Sequence, residues 1–238
     1  MRGKVSDFMA GGRRVFVYAP PGAGQALPLV QMAAGDALSE QLPQIMGEVE
    51  PLLGQGCAPF LMCWTAPADW ERDYTPWPAP ALQGRQPFSG GADAYLDLLE
   101  GTVKPAVAAR FDVLPGARST ALAGYSLGGL LALYGLLSRP GYGRAASLSG
   151  SLWYDGWASW QAAHPARPGC RCYLSLGKAE ERSRDERMGR VGQATRAAAD
   201  LLLQQLGPQN AVLEWNNGGH FTGIPHRIAK GLLWLMRD

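Results

Sequence analysis

Ser126 stands in Gly124-Tyr125-Ser126-Leu127-Gly128, a G-x-S-x-G turn preceded by the small apolar run Ala121-Leu122-Ala123 and followed at once by Gly129-Leu130-Leu131. A serine hydroxyl is a weak nucleophile. It attacks an acyl carbon only where a sharp strand-to-helix turn lifts it toward a base and backbone N–H groups receive the oxyanion that forms. The two glycines of the turn remove side chains where backbone crowds backbone. A plain helix N-cap is the competing reading of such a serine, and the flanking strand and helix favour the nucleophile.

Where this turn carries chemistry, the chain order is serine, then acid, then histidine. Three histidines are present. His164 lies in an Ala-Ala-His-Pro loop, and His226 follows Pro225 at a helix start, an exposed position that leaves it in reserve. His220 follows the strand-like Ala211-Val212-Leu213-Glu214-Trp215 and the tight Asn216-Asn217-Gly218-Gly219 loop. From there an imidazole swings over a sheet edge toward Ser126. The acid is expected after Tyr173-Leu174-Ser175-Leu176-Gly177. Glu180 is preferred because it comes first after the turn, with Glu181 next. The charged residues that follow, Arg182, Arg184, Asp185, Glu186 and Arg187, read as a solvated cluster.

Two backbone donors are needed for an oxyanion. The Leu127 amide is one. The other is expected from the loop after Leu29-Val30-Gln31-Met32, where Gly35, Asp36 and Ala37 stay open. Aromatic residues abound, and flat rings suit apolar or aromatic acyl groups as well as plain packing. Among Trp70, Tyr74, Trp77, Trp153, Tyr154 and Trp157, the pair Trp153 and Tyr154 is favoured for the site because its loop follows a strand end. Trp77 and Tyr125 are the other expected substrate contacts.

The elements that must position these groups alternate along the chain. Strand-like runs fall at 14–18, 27–33, 59–64, 119–123, 145–148, 172–176 and 211–215. Helix-like segments fall at 93–110, 127–138, 188–206 and 225–236. This alternation predicts an α/β three-layer sandwich with a mostly parallel central sheet covered on both faces. Residues 1–238 are expected to form a single domain. The stretch 66–90, rich in Trp, Pro and Gly, is too long and aromatic for an ordinary connection, so it is expected to shape a binding site.

With 47% hydrophobic and 18% charged residues the chain can bury a large core. A formal charge of +2 with scattered Lys and Arg argues against nucleic acid as a partner. No run approaches a membrane span, and the first residues lack a secretory h-region, so a cytoplasmic protein without a membrane partner is expected, as a monomer or homodimer. Cys57, Cys63, Cys170 and Cys172 are accordingly read as reduced core thiols. Cys170-Arg171-Cys172 has no matching pair to complete a zinc set, so neither metal nor cofactor is expected.

Longer motifs surround these residues: Gly-Tyr-Ser-Leu-Gly-Gly-Leu at 124–130, Ser-Gly-Ser-Leu-Trp-Tyr at 149–154, Ser-Leu-Gly-Lys-Ala-Glu-Glu at 175–181 and Glu-Trp-Asn-Asn-Gly-Gly-His-Phe at 214–221. With Asp69-Trp70, the 74–80 segment and the 90–96 segment, they cover most of the chain. Together they resemble the Putative esterase family of α/β-hydrolases, especially the branch of trilactone siderophore esterases and their cytosolic relatives. The resemblance implies an α/β-hydrolase fold, Glu180 as acid through Gly-x-x-Glu at Gly177, and His220 as base. The leading expectation is a serine hydrolase that cleaves a small-molecule carboxylic ester through an acyl-enzyme. Acyl transfer by the same triad and a non-catalytic binding module of the same fold are the alternatives.

Overall fold

The computed structural model describes residues 1–35, 37–82 and 86–237. Its described residues hold one sheet of eight strands: β1 (Lys4–Ala10), β2 (Arg13–Ala19), β3 (Leu29–Ala33), β4 (Leu61–Trp64), β5 (Thr120–Tyr125), β6 (Arg144–Leu148), β7 (Arg171–Gly177) and β8 (Ala211–Asn216). The spatial order is β1-β2-β4-β3-β5-β6-β7-β8. β2 runs antiparallel to both β1 and β4, and β4, β3, β5, β6, β7 and β8 are mutually parallel. The sheet is therefore mostly parallel, as the alternating pattern predicts. The edge strand β1 is an addition to the seven runs. It is largely exposed, and with Phe8 and Ala10 packed against a core but Lys4 and Ser6 earlier in the same alternation, it shows no sustained apolar face in sequence.

Helices α1 (Ala37–Val49), α2 (Trp70–Asp73), α3 (Ala92–Leu98), α4 (Lys104–Ala108), α5 (Leu127–Ser138), α6 (Trp157–Ala163), α7 (Glu186–Gly189), α8 (Val191–Leu206) and α9 (Ile224–Leu235) flank it. One face of the sheet packs with α1 and α9 through Val30, Met32, Leu42, Ile45, Ile228 and Leu232. The other packs with α3, α5 and α8 through Leu29, Leu96, Leu122, Leu133, Leu174 and Leu202. Strand side chains alternate between these cores, the period of two that a doubly covered sheet requires. No helix among the described residues is long and apolar enough to cross a membrane.

Two segments read as single helices are broken. Residues 93–110 contain a π turn, Leu99–Val103, between α3 and α4. Pro105 has no N–H to give Gly101, and widening the turn by one residue relieves its ring. The buried Gln31 amide donates to the Leu99 carbonyl (3.1 Å), and Gln31 in turn accepts from the Tyr142 hydroxyl (2.8 Å). Residues 188–206 divide at Arg190 into α7 and α8.

Register places the site. Tyr125 pairs with Leu148, Leu148 with Ser175, and Ser175 with Glu214. The loops leaving β5, β6, β7 and β8 therefore emerge side by side at the carboxyl edge of the parallel strands, where open α/β sheets bind ligands. α5 is buried along nearly its whole length, which anchors the turn at its head.

Candidate active site

Ser126 occupies φ 60°, ψ −122° between β5 and α5. That conformation is unfavourable for a residue with a Cβ, by about 1–3 kcal/mol, and persists only where the surroundings enforce it. Enforcement comes from backbone packed on backbone. A Cβ at Gly124 would run into the Gly128 carbonyl, and one at Gly128 would meet the Ala33 carbonyl at the end of β3. The Ser126 amide donates to Leu148 O (3.0 Å), and its carbonyl accepts from Ser151 N (3.1 Å). Its hydroxyl caps no helix N–H.

Instead the Ser126 hydroxyl lies 3.1 Å from His220 Nε2, and His220 Nδ1 lies 2.6 Å from Glu180 Oε2. Burial opposes ionisation of Glu180, yet the His220 contact, the Gly177 amide and the Ser149 hydroxyl hold its carboxyl below the usual range. An ionised carboxylate only accepts, so Nδ1 carries the proton and donates to Glu180, which leaves the Nε2 lone pair for the serine hydroxyl. The structure brings the three expected residues together in this order.

The second carboxylate oxygen is equally occupied. Glu180 Oε1 accepts from Ser149 Oγ (2.8 Å), Gly177 N (2.7 Å) and Arg227 Nη1 (2.9 Å). Ser149, at φ 45°, is the other non-glycine residue with positive φ among those described, and it follows β6 as Ser126 follows β5. Arg227, 1% exposed, also donates to Tyr125 Oη (3.1 Å) and, through Nη2, to the carbonyls of Asn217 (3.1 Å) and Gly219 (2.9 Å). It thus ties the acid to the loop that carries the base. Sequence reasoning passed over this arginine. The signal was its place in the buried register 227, 231, 235 of α9, where a charge needs a partner.

Arg227→Met is expected to cost about 3–5 kcal/mol, because it leaves a buried charge network short of its cation. For a chain of this size that lowers Tm by on the order of 10 °C. A thermal melt that moves by no more than about 2 °C would show that the network carries no such stability.

Glu181 points elsewhere, pairing with Arg196 on α8 (2.8 Å). The 3-10 turn Glu180–Arg182 separates neighbouring side chains by a third of a revolution, so only one of the two acids faces His220. His164 is exposed, with Nδ1 2.7 Å from Trp160 O, and His226 is exposed and paired with Glu48 (2.7 Å).

A cavity of about 440 Å³ opens over Ser126. Ser126, Ser149, Ser151, Glu180 and His220 line it beside Leu127, an apolar part is formed by Trp70, Leu82, Phe88, Trp153, Met188, Val191 and Phe221, and Glu71, Arg182, Ser183 and Asp185 add polar side chains. Leu127 is the first residue of α5 and lines the cavity, and its amide has no intrahelical acceptor. Of the other expected oxyanion donors, Gly35 follows β3 and accepts from Leu38 N (3.1 Å) at the head of α1. Ala37 begins that helix. Asp36 lies outside the described residues. Ser151 Oγ lies 3.5 Å from Ser126 Oγ and is a further polar group at the reacting atom.

The 66–90 segment does shape the cavity, through Trp70, Glu71, Leu82 and Phe88. Of the four aromatic residues expected to touch substrate, Trp153 lines it and three require correction. Tyr154 is buried and donates to Trp77 O (2.5 Å). Trp77 is held by a bond from Nε1 to Asp155 O (2.8 Å) and packs among Tyr134, Tyr154 and Trp160. Tyr125 donates to His220 O (2.5 Å), so it braces the base instead of lining the cavity. Two residues of the supposedly solvated cluster also differ. Arg187 donates to the carbonyls of Pro80 and Ala81 (2.9 Å each) and pairs with Asp155 (2.8 Å), fastening the 66–90 segment to α7. Asp185 caps α7 by accepting from Met188 N (3.0 Å). All four cysteines are buried, and burial pushes the Cys63 thiol up to about 12.

The model of the Putative esterase family matches residues 6–221. Uncharacterized protein YbbA of Bacillus subtilis is 30% identical over 191 residues, 77% of this chain and 75% of that protein. The siderophore triacetylfusarinine C esterase of Aspergillus fumigatus is 48% identical over 67 residues, 28% of this chain and 23% of that protein. Among solved structures, an IroE-like serine hydrolase from Shewanella oneidensis has a similar fold, with a TM-score of 0.78 at 19% identity over 98% of this chain and 80% of that one.

Proposed function

Because the chain belongs to the Putative esterase family and is a carboxyl-ester hydrolase, we propose that it cleaves its ester through an acyl-enzyme on Ser126, with His220 as general base and Glu180 as the acid that orients it. The observation that supports this most directly is the pair of contacts on one imidazole, 3.1 Å to the Ser126 hydroxyl and 2.6 Å to the Glu180 carboxylate.

Ser126 Oγ bonds to the acyl carbon as His220 Nε2 takes its proton. The carbonyl oxygen becomes an oxyanion facing the Leu127 amide, with a second donor from the Gly35 loop. Collapse breaks the carbon–oxygen bond to the alcohol, which leaves with the proton from Nε2. Water, deprotonated by the same nitrogen, then attacks the acyl-serine, and the acid departs as Ser126 recovers its proton. Glu180 stays ionised throughout and stabilises the imidazolium. The residues named suffice for each step, and the proposed partner is a small-molecule ester. The apolar walls favour an acyl group that is itself apolar or aromatic.

Methanol partitioning tests the intermediate. Esters of one acid with different alcohols should, in aqueous methanol, give the same ratio of methyl ester to free acid, since all pass through one acyl-serine. A ratio that varied with the leaving alcohol would exclude a common intermediate.

A further inference from the structure

We propose that Phe221 forms the subsite for the departing alcohol and selects alcohols that carry a flat apolar group; this rests on ester hydrolysis at Ser126. Phe221 is 85% exposed, the most exposed of the large hydrophobic side chains. It belongs to neither apolar core. Scattered exposed apolar residues are ordinary, but this one lines the cavity and sets its ring edge-on to His220, with centroids 5.0 Å apart and planes at 88°. Trp70, 37% exposed, lines the same cavity. An aromatic ring at a cavity that packs into no core keeps a face on which a flat apolar group can stack.

Chemistry assigns the half of the ligand. The imidazole returns its proton to the oxygen of the leaving alcohol, so the substituent on that oxygen passes beside His220 and the ring that follows it in the chain. The acyl group must stay while the alcohol departs. It is better held against the enclosed wall, where Phe88 is 3% exposed, than at the open edge. Phe221 stands where the departing half enters and leaves.

The test uses the whole chain and its Phe221→Ala variant on ethyl, benzyl and 2-naphthylmethyl butyrates, with ethyl acetate and ethyl phenylacetate as an acyl series. Comparing variant with wild type on each ester cancels the intrinsic reactivity of the alcohol. Loss of one stacking partner predicts KM about three- to tenfold higher for the benzyl and naphthylmethyl esters. It predicts kcat within about twofold and little change for the ethyl esters. Phe221→Trp should retain the preference. Because the ring is exposed, the melting temperature should hold.

An equal loss on every ester, a loss that follows the acyl series, or no change would each overturn the assignment. A wild-type protein that hydrolysed none of the panel and resisted a fluorophosphonate probe would overturn the reading of Ser126 beneath it.

Discussion

Ser126→Ala is expected to abolish ester turnover, with kcat falling on the order of 10⁶-fold, and to end labelling by fluorophosphonates while the protein remains folded. The fold control is favourable. Serine and alanine both carry a Cβ, so the strain at φ 60° is the same in the two proteins. The hydroxyl caps no helix, so its removal exposes no orphan amide. Turnover of p-nitrophenyl esters by the variant at more than a trace of the wild-type rate would assign the attack to another group.

Glu180→Gln is expected to lower kcat about 10⁴-fold through a tautomer change. Ser149 Oγ, Gly177 N and Arg227 Nη1 all donate to Oε1. A glutamine must therefore place its carbonyl there and its NH₂ toward His220. That amide donates to Nδ1, which must then be unprotonated, and the proton moves to Nε2. An imidazole with Nε2–H cannot receive the serine proton, although every heavy atom sits nearly where it did. Arg227 also loses its counter-charge, so some stability goes with the activity. Equal loss from Glu181→Gln, whose carboxylate pairs with Arg196 on α8, would contradict the assignment of the acid.

How much of this was legible in the residues follows from how local each constraint is. The turn at Ser126 was readable because Gly124 and Gly128 meet within five residues. His220 was readable because a strand, a glycine loop and a helix bracket it. The parallel sheet followed from alternating runs. α1 was missed because Pro43 and Gly47 interrupt its pattern, although Leu38, Leu42, Ile45, Met46 and Val49 keep the helical spacing; Pro43 sits on the exposed side of the helix, away from that apolar face.

Long-range consequences were less legible. Neither the bond from Arg227 to Glu180, 47 positions apart, nor that from Arg187 to Pro80, 107 apart, has a local signature. The aromatic readings erred for the same reason. A tryptophan or tyrosine looks alike in sequence whether it faces a cavity, as Trp153 does, or a buried carbonyl, as Tyr154 does.

The account turns on whether the imidazole of His220 activates the hydroxyl of Ser126. Peptide mass spectrometry after brief exposure to a fluorophosphonate reads this directly, in the wild type and in His220→Ala side by side. The expected result is one adduct on the peptide containing Ser126, formed rapidly in the wild type and lost in His220→Ala. An adduct on another residue, or equally fast labelling of Ser126 without the histidine, would contradict it.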